Sequence, residues 1–151
     1  MGKKGQEILK QLENTYCRLG VSKIEGVGVM AIRNIPKNTN IFYSAPVGRD
    51  YCFKIKELKN LDPEILKMIK DFFCLEKNGT ILIPECGLNG INISYFLNDS
   101  RHPNVKTIDG GFNFITTKKV KRGEELTVAY KTYDNIAESE WKNLKINKKK
   151  K

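Results

Sequence analysis

Apolar positions along the chain change their period from segment to segment. Over Gln6–Leu19, Ile8, Leu9, Leu12, Tyr16 and Leu19 recur near helical spacing, which predicts a short amphipathic helix. From Val21 to Tyr43 the pattern shortens. Val29, Ile32, Ile35 and Ile41 stand among polar residues around the turn Pro36-Lys37-Asn38-Thr39, which predicts short strands. The helical period returns between Lys54 and Asn78. There Asp62 is placed to cap, Pro63 to occupy the first helical position, Ile65, Leu66, Ile69, Phe72 and Phe73 to form an apolar face, and Gly79 to lie beyond the end. Thr80–Pro84 and Phe112–Thr116 are rich in β-formers, the second run following an Asp109-Gly110-Gly111 turn. Ile91, Ile93 and Leu97 read as a buried strand that breaks into a polar hairpin, Asn98 to Asn104. Leu126 and Val128 alternate with Thr127 and Ala129, as in a half-buried strand. Spacing alone thus predicts a β-rich α+β domain with one well-punctuated helix.

Composition narrows the class. A chain of 151 residues is one domain's worth, large enough to bury a core without disulfides or metal. Its 40% hydrophobic and 29% charged residues are those of a soluble globular protein. No apolar run approaches the roughly 20 residues that span a bilayer, and Met1-Gly2-Lys3-Lys4 lacks an apolar signal region, so no membrane association and an intracellular location are expected. Cys17, Cys52, Cys74 and Cys86 show no Cys-x-x-Cys pairing, which predicts free thiols rather than a zinc site. The formal net charge is +10, and Lys148 to Lys151 supply four of it. Such a tail is either a solvated end or a contact for nucleic acid.

Two stretches carry the chemistry: Asn98-Asp99-Ser100-Arg101-His102-Pro103-Asn104, and Gly123-Glu124-Glu125-Leu126-Thr127-Val128-Ala129-Tyr130. Upstream lies Glu25-Gly26-Val27-Gly28. In this order, over Lys23 to Trp141, they resemble the SET domain of protein-lysine methyltransferases. That family carries a Gly-x-Gly opening, an Asn-His-Ser-x-x-Pro-Asn signature and a Gly-Glu-Glu-Leu-Thr strand ending on tyrosine. The resemblance implies a SET-domain, β-clip-like fold of small bent sheets with a helical insert and a C-terminal pseudoknot, in which the Tyr130 strand passes beneath the chain around Asn98. It also implies an N-terminal helical extension over 1–20, the SET domain over 21–134 with its insert at about 54–79, and a C-terminal segment with a basic tail over 135–151. The cysteine-rich zinc modules that flank many larger members have no counterpart after Tyr130.

The activity implied is S-adenosylmethionine-dependent N-methylation of a lysine on a histone or another protein. The sulfonium carries the driving force, so the protein supplies orientation and electrostatics. The amine must arrive neutral although a free lysine titrates near 10.4, which calls for a narrow apolar channel. Tyrosines suit its wall, each offering a ring that excludes water and one oriented hydroxyl. By resemblance Tyr130 lies beside the transferring methyl, and Tyr43 and Tyr133 are channel candidates that ordinary packing would explain equally well. Gly26, Val27 and Gly28 would lend backbone to the methionine part of the cofactor. Asn98 would contact it by its side chain, Asp99 would meet adenine through its main chain, and Tyr95 stands where an arginine often faces the cofactor carboxylate. Trp141 would either stack on adenine or pack in the core.

The chain departs from the family where Asp99 replaces histidine, where Thr107 stands at a position some relatives fill with an aromatic, and where Lys131-Thr132-Tyr133 is one residue longer than the common ending. Other classes stay open: a SET-like module without catalysis that binds a partner, or a basic nucleic-acid-binding protein. A basic peptide would approach a +10 enzyme only over a local acidic patch, for which Glu85, Asp109, Glu124 and Glu125 are candidates. The location expected is nuclear or chromatin-associated in a eukaryote or virus, and cytoplasmic in a bacterium.

Overall fold

The computed structural model describes residues 2–42, 48–76 and 78–132. The chain forms two compact units, Met1–Pro46 with Phe96–Tyr133, and Val47–Tyr95 with Asp134–Lys151.

The first unit opens with helix α1, Lys3–Glu13, which buries none of its residues. The helix expected over Gln6–Leu19 therefore stops short, and Cys17–Val21 forms strand β1 instead. Two causes act together. Asn14 ends α1 by bonding back to the Lys10 carbonyl through its side chain at 2.9 Å, and extension lets Cys17 bury itself in a ladder opposite Ala31. The ladder partner is β2, Val27–Ala31, antiparallel from Cys17↔Ala31 to Val21↔Val27. Burial also pushes the Cys17 thiol up to about 11.

On its other edge β2 pairs antiparallel with β8, Glu125–Val128, which in turn pairs in parallel with the two-residue strand β5, Asn98–Asp99. The sheet order is β1-β2-β8-β5, so its most C-terminal strand is interior. Beyond β5 the chain keeps hold of β8. Ser100 N–H donates to the Val128 carbonyl at 2.9 Å, and the buried Asn104 amide donates to the Glu125 carbonyl at 2.8 Å while accepting from Thr127 N–H at 2.9 Å. This is the passage of the last strand against the Asn98–Asn104 segment that the resemblance implies.

One expectation changes here. Leu126, Thr127, Val128 and Ala129 are all buried, so β8 is covered on both faces rather than half-buried. A strand paired along both edges and crossed by Asn104 has no side left for water.

A separate hairpin joins β6, Val105–Ile108, to β7, Asn113–Thr116, through a 3-10 turn over Asp109–Gly111. The turn needs left-handed backbone at Asp109 (φ 54°) and Gly110 (φ 69°), which glycine and aspartate tolerate best.

In the second unit β3, Asp50–Lys54, pairs antiparallel with β4, Thr80–Pro84, and between them lie α2, Ile55–Leu58, and α3, Pro63–Phe72. The start of α3 is as expected: the Asp62 carboxylate accepts from Glu64 N–H at 2.9 Å and Pro63 opens the first turn. Its end is not. Gly79 does not follow the helix but closes a turn in which its N–H meets the Glu76 carbonyl at 2.9 Å, with φ 74°. Phe73 already leaves α3 in extended backbone, because burial against Ile69, Leu75 and Ile81 draws it into the core.

The stretch Ile91 to Leu97 is also not a strand. It follows one 3-10 turn, Gly87–Gly90, and holds the whole of another, Ile93–Phe96. Asn92 drives the second, since its side chain accepts from Ser94 N–H at 2.9 Å and from the Ser94 hydroxyl at 2.7 Å.

Candidate functional site

The motif residues of the first unit converge on the end of the β1–β2 hairpin and on β8. Ser22 lies where β1 gives way to the turn. Its hydroxyl donates to the Glu125 carboxylate at 2.8 Å and accepts from Ile24 N–H at 2.8 Å and Glu25 N–H at 3.1 Å. The Asn98 amide nitrogen is within hydrogen-bond distance of Ser22 Oγ (3.0 Å), Glu125 Oε1 (2.9 Å) and the Glu25 and Val27 carbonyls (3.2 and 3.3 Å). Strand pairing fixes each part, because Glu125 faces Met30 in the ladder and Asn98 faces Thr127. The turn Ser22 to Gly28 is thus held shut from below by one carboxylate and one amide.

The two glycines serve different needs. Gly26 adopts φ 49°, a left-handed conformation, and a Cβ there would meet nothing within 4 Å. A Cβ on Gly28 would come within 2.3 Å of Glu125 Oε1 and 3.1 Å of Ser22 Cβ. Gly28 is bare because the Glu125 carboxylate occupies the space a side chain would take. Glu25, Gly26 and Val27 are exposed, with their carbonyls and the Glu25 N–H bonded to Ser22 and Asn98.

Past β8 the chain turns at Tyr130–Thr132. The Tyr130 N–H donates to Asp99 Oδ1 at 2.8 Å, and its hydroxyl donates to the Leu97 carbonyl at 2.7 Å. The aspartate that replaces the family's histidine thus caps the turn carrying the tyrosine.

Of the predicted glycine-turn residues Val27 meets Asn98 directly, with Gly26 and Gly28 its chain neighbours, and Asp99 and Tyr130 meet each other across the β5–β8 pair. Tyr95 belongs to the second unit, where its ring packs edge-on against Phe73 with centroids 5.2 Å apart. Burial, with the nearby Asp50 carboxylate adding to it, raises the Tyr95 hydroxyl above its ordinary range. Thr107 lies in β6 opposite Phe114. Tyr43, Tyr133 and Trp141 fall outside the described residues. Sequence reasoning missed Ser22 altogether and named Glu125 within the Gly-Glu-Glu-Leu-Thr motif and as part of an acidic patch, without the turn it holds. The available signal was a serine followed at two and three residues by the amides it could cap, just before Gly-x-Gly. Among the described residues no cluster of three or more His, Cys, Asp or Glu could hold a metal ion, and no helix is long and apolar enough to cross a membrane.

Comparison with known proteins agrees with this geometry. The profile of the SET domain matches residues 26–131, while the search of curated proteins gives no match. Among solved structures, a Plasmodium falciparum protein provisionally assigned as a histone methyltransferase superposes with a TM-score of 0.50 at 17% identity, covering 77% of this chain and 93% of that one. A humanized mutant of the Chaetomium thermophilum Polycomb Repressive Complex 2, bound to the inhibitor GSK126, superposes with a TM-score of 0.52 at 19% identity. That match covers 80% of this chain but only 15% of the larger one. At such identities the structural likeness bears on the fold.

Proposed function

The chain belongs to the SET-domain family, and from that premise we propose that it is an S-adenosylmethionine-dependent protein-lysine N-methyltransferase acting on a histone or another protein lysine. The observation that carries this reading is the fixing of Tyr130 by Asp99 and the Leu97 carbonyl, the chain neighbours of the Asn98 that binds the glycine turn. The residues present suit the cofactor. The turn Gly26–Gly28, exposed at Gly26 and Val27 and closed from behind by Asn98 and Glu125, would lie against its amino-acid end, with Asn98 contacting it by its side chain and Asp99 meeting adenine through its main chain. Such a cofactor supplies, when bound, a sulfonium-activated methyl group, so the chain's own task is placement.

Tyr130 performs that placement. With its proton directed at the Leu97 carbonyl, the hydroxyl oxygen acts toward a substrate as an acceptor, suited to an amine N–H or to the polarised C–H bonds of a methyl. Tyr43 and Tyr133 are proposed as further channel residues, and Trp141 as an adenine stack. The proposed partner is a protein with an exposed lysine, with nucleic-acid contact through Lys148–Lys151. The proposed location is inside the cell, on chromatin if the source is eukaryotic or viral.

The test combines binding and turnover. Millimolar S-adenosylmethionine should raise the melting temperature of folded, cofactor-free protein without added metal. Tyr130→Phe should leave cofactor affinity nearly unchanged and lower radiolabelled methyl transfer by one or more orders of magnitude, since an oriented contact of this kind acts mainly in the transition state. No stabilisation of the native chain would instead favour a partner-binding module. Full turnover by Tyr130→Phe would remove Tyr130 from its role.

A further inference from the structure

The positive charge of the chain is unevenly distributed. Residues 47–95 carry seven lysines and arginines against seven carboxylates, whereas 96–132 carry seven against four and 1–46 seven against three. Within the first unit part of this excess gathers on one short stretch. Lys118, Lys119, Lys121 and Arg122 are exposed and flank Val120, which is fully buried. Val120 exchanges both backbone hydrogen bonds with the equally buried Ile35, at 2.8 and 2.9 Å. With both of those side chains turned inward, alternation directs Lys119 and Lys121 outward. Asn38 N–H donates to the Thr116 carbonyl at 2.9 Å, which sets Lys37 alongside the start of the stretch, and Thr117 N–H bonds the Asn104 carbonyl at 2.9 Å, which draws up the loop carrying Arg101.

Nearby carboxylates are bonded to other groups and, among the described residues, make no ion pair with these cations. Glu124 accepts from the backbone N–H of Lys121 at 2.7 Å. Glu125 is taken by Ser22 and Asn98, and Asp99 by the Tyr130 amide. Among the described residues the ion pairs are Lys4–Glu7 and Lys67–Asp71, neither of them here. Nor does residue 113 to 132 contribute any exposed large apolar side chain. The patch therefore has no wedge for a lipid bilayer and no aromatic platform for unstacked bases. What it offers is a row of unneutralised cations on backbone pinned by a buried pair, a surface suited to the evenly spaced phosphates of a duplex.

We infer that Lys118, Lys119, Lys121 and Arg122, with Lys37 beside them, form a docking surface for the phosphate backbone of double-stranded nucleic acid, independent of base sequence. The residues of this surface are distant in sequence from Lys148–Lys151, and the surface does not depend on methyl transfer. Five phosphate contacts would give a slope of about −4.5 in log affinity against log salt. Each cation removed should make that slope shallower by about 0.9.

The experiment is fluorescence anisotropy of a labelled DNA duplex with the full chain across a salt series. Replacing the four residues together (K118Q, K119Q, K121Q, R122Q) should flatten the slope by about 3.6 and weaken binding at low salt by more than tenfold. The melting temperature should hold, because all four side chains are exposed. Should the fourfold variant fold poorly, K119Q and K121Q singly should each flatten the slope by about 0.9. A full-length chain with Lys148–Lys151 changed to glutamine measures the tail's share and should still respond to the patch substitutions. The inference is overturned by a native chain that does not bind the duplex at low salt. It is equally overturned by patch variants that keep the native slope, or by phosphatidylserine vesicles competing the duplex away at equal charge.

Discussion

Replacing Ser22 by alanine tests whether the glycine turn is preset for a cofactor. The hydroxyl donates one bond to the Glu125 carboxylate, and its two lone pairs are shared among the Ile24 and Glu25 amides and the Asn98 side chain. A bond to a charged group contributes about 1.5–3 kcal/mol and a neutral one about 0.5–1.5 kcal/mol. Ser22 is only half-buried, so water replaces most of what the amides lose. The net loss is therefore about 1.5–2 kcal/mol, close to the carboxylate bond alone. If that loss falls on the order of the turn, the binding-competent conformation drops to about a tenth, and cofactor affinity falls about tenfold with it. The melting temperature should fall by only about 4–6 °C. Calorimetric titration of S-adenosylmethionine reads the first quantity and thermal unfolding the second, while Ser22→Thr, which keeps the hydroxyl, should restore both. An affinity within twofold of native alongside a lowered melting point would refute the reasoning, since Ser22 would then stabilise the fold without setting the turn.

Asp99→Ala should lower methyl-transfer turnover by removing the acceptor for Tyr130 N–H, and leave cofactor affinity within a few-fold; Asp99→Asn, which keeps an oxygen there, should retain turnover. Equal turnover in both variants would show the cap to be idle. Asn104→Ala strands two buried backbone groups of β8, at about 1–3 kcal/mol each, and should lower stability in denaturant titration by about 2–5 kcal/mol; a loss under about 1 kcal/mol would mean that water replaces the amide. Cys17, with a thiol pushed up to about 11, should resist alkylation at pH 8 in the folded chain while the exposed Cys52 and Cys86 react, as mass spectrometry would show. The same shift makes its stabilising contribution complete below about pH 9 and lost as pH rises toward 11, because the unfolded thiol ionises first.

What the sequence revealed and what it hid divide along physical lines. Helix α3 was legible because its start is written in local chemistry, an aspartate cap and a proline that act within one turn. The motif order was legible because it follows a family pattern that matches residues 26–131. The strand at β1 was not, since Tyr16 and Leu19 fit a helical period as well as an extended one and only the ladder to β2 decides between them. Ile91 to Leu97 misled because apolar residues suggested a strand while Asn92 and Ser94 were bonding each other into a 3-10 turn. The reason for Gly28 was beyond reading. It lies in a carboxylate nearly a hundred residues further on, brought close by strands whose pairing no short window contains.

The interior position of β8 also bears on how the chain is made. A ribosome delivers β1, β2 and the Asn98–Asn104 segment well before residues 125–128, yet the late strand must enter between them. Until it does, one edge of β2 presents unpaired peptide groups, a template for any extended chain nearby. Closure then waits on contacts across about a hundred residues, the kind that folds slowly and leaves intermediates exposed. Faults between Gly123 and Tyr130 should for that reason show themselves first during synthesis, as aggregation or dependence on chaperones, before any enzyme exists to be assayed.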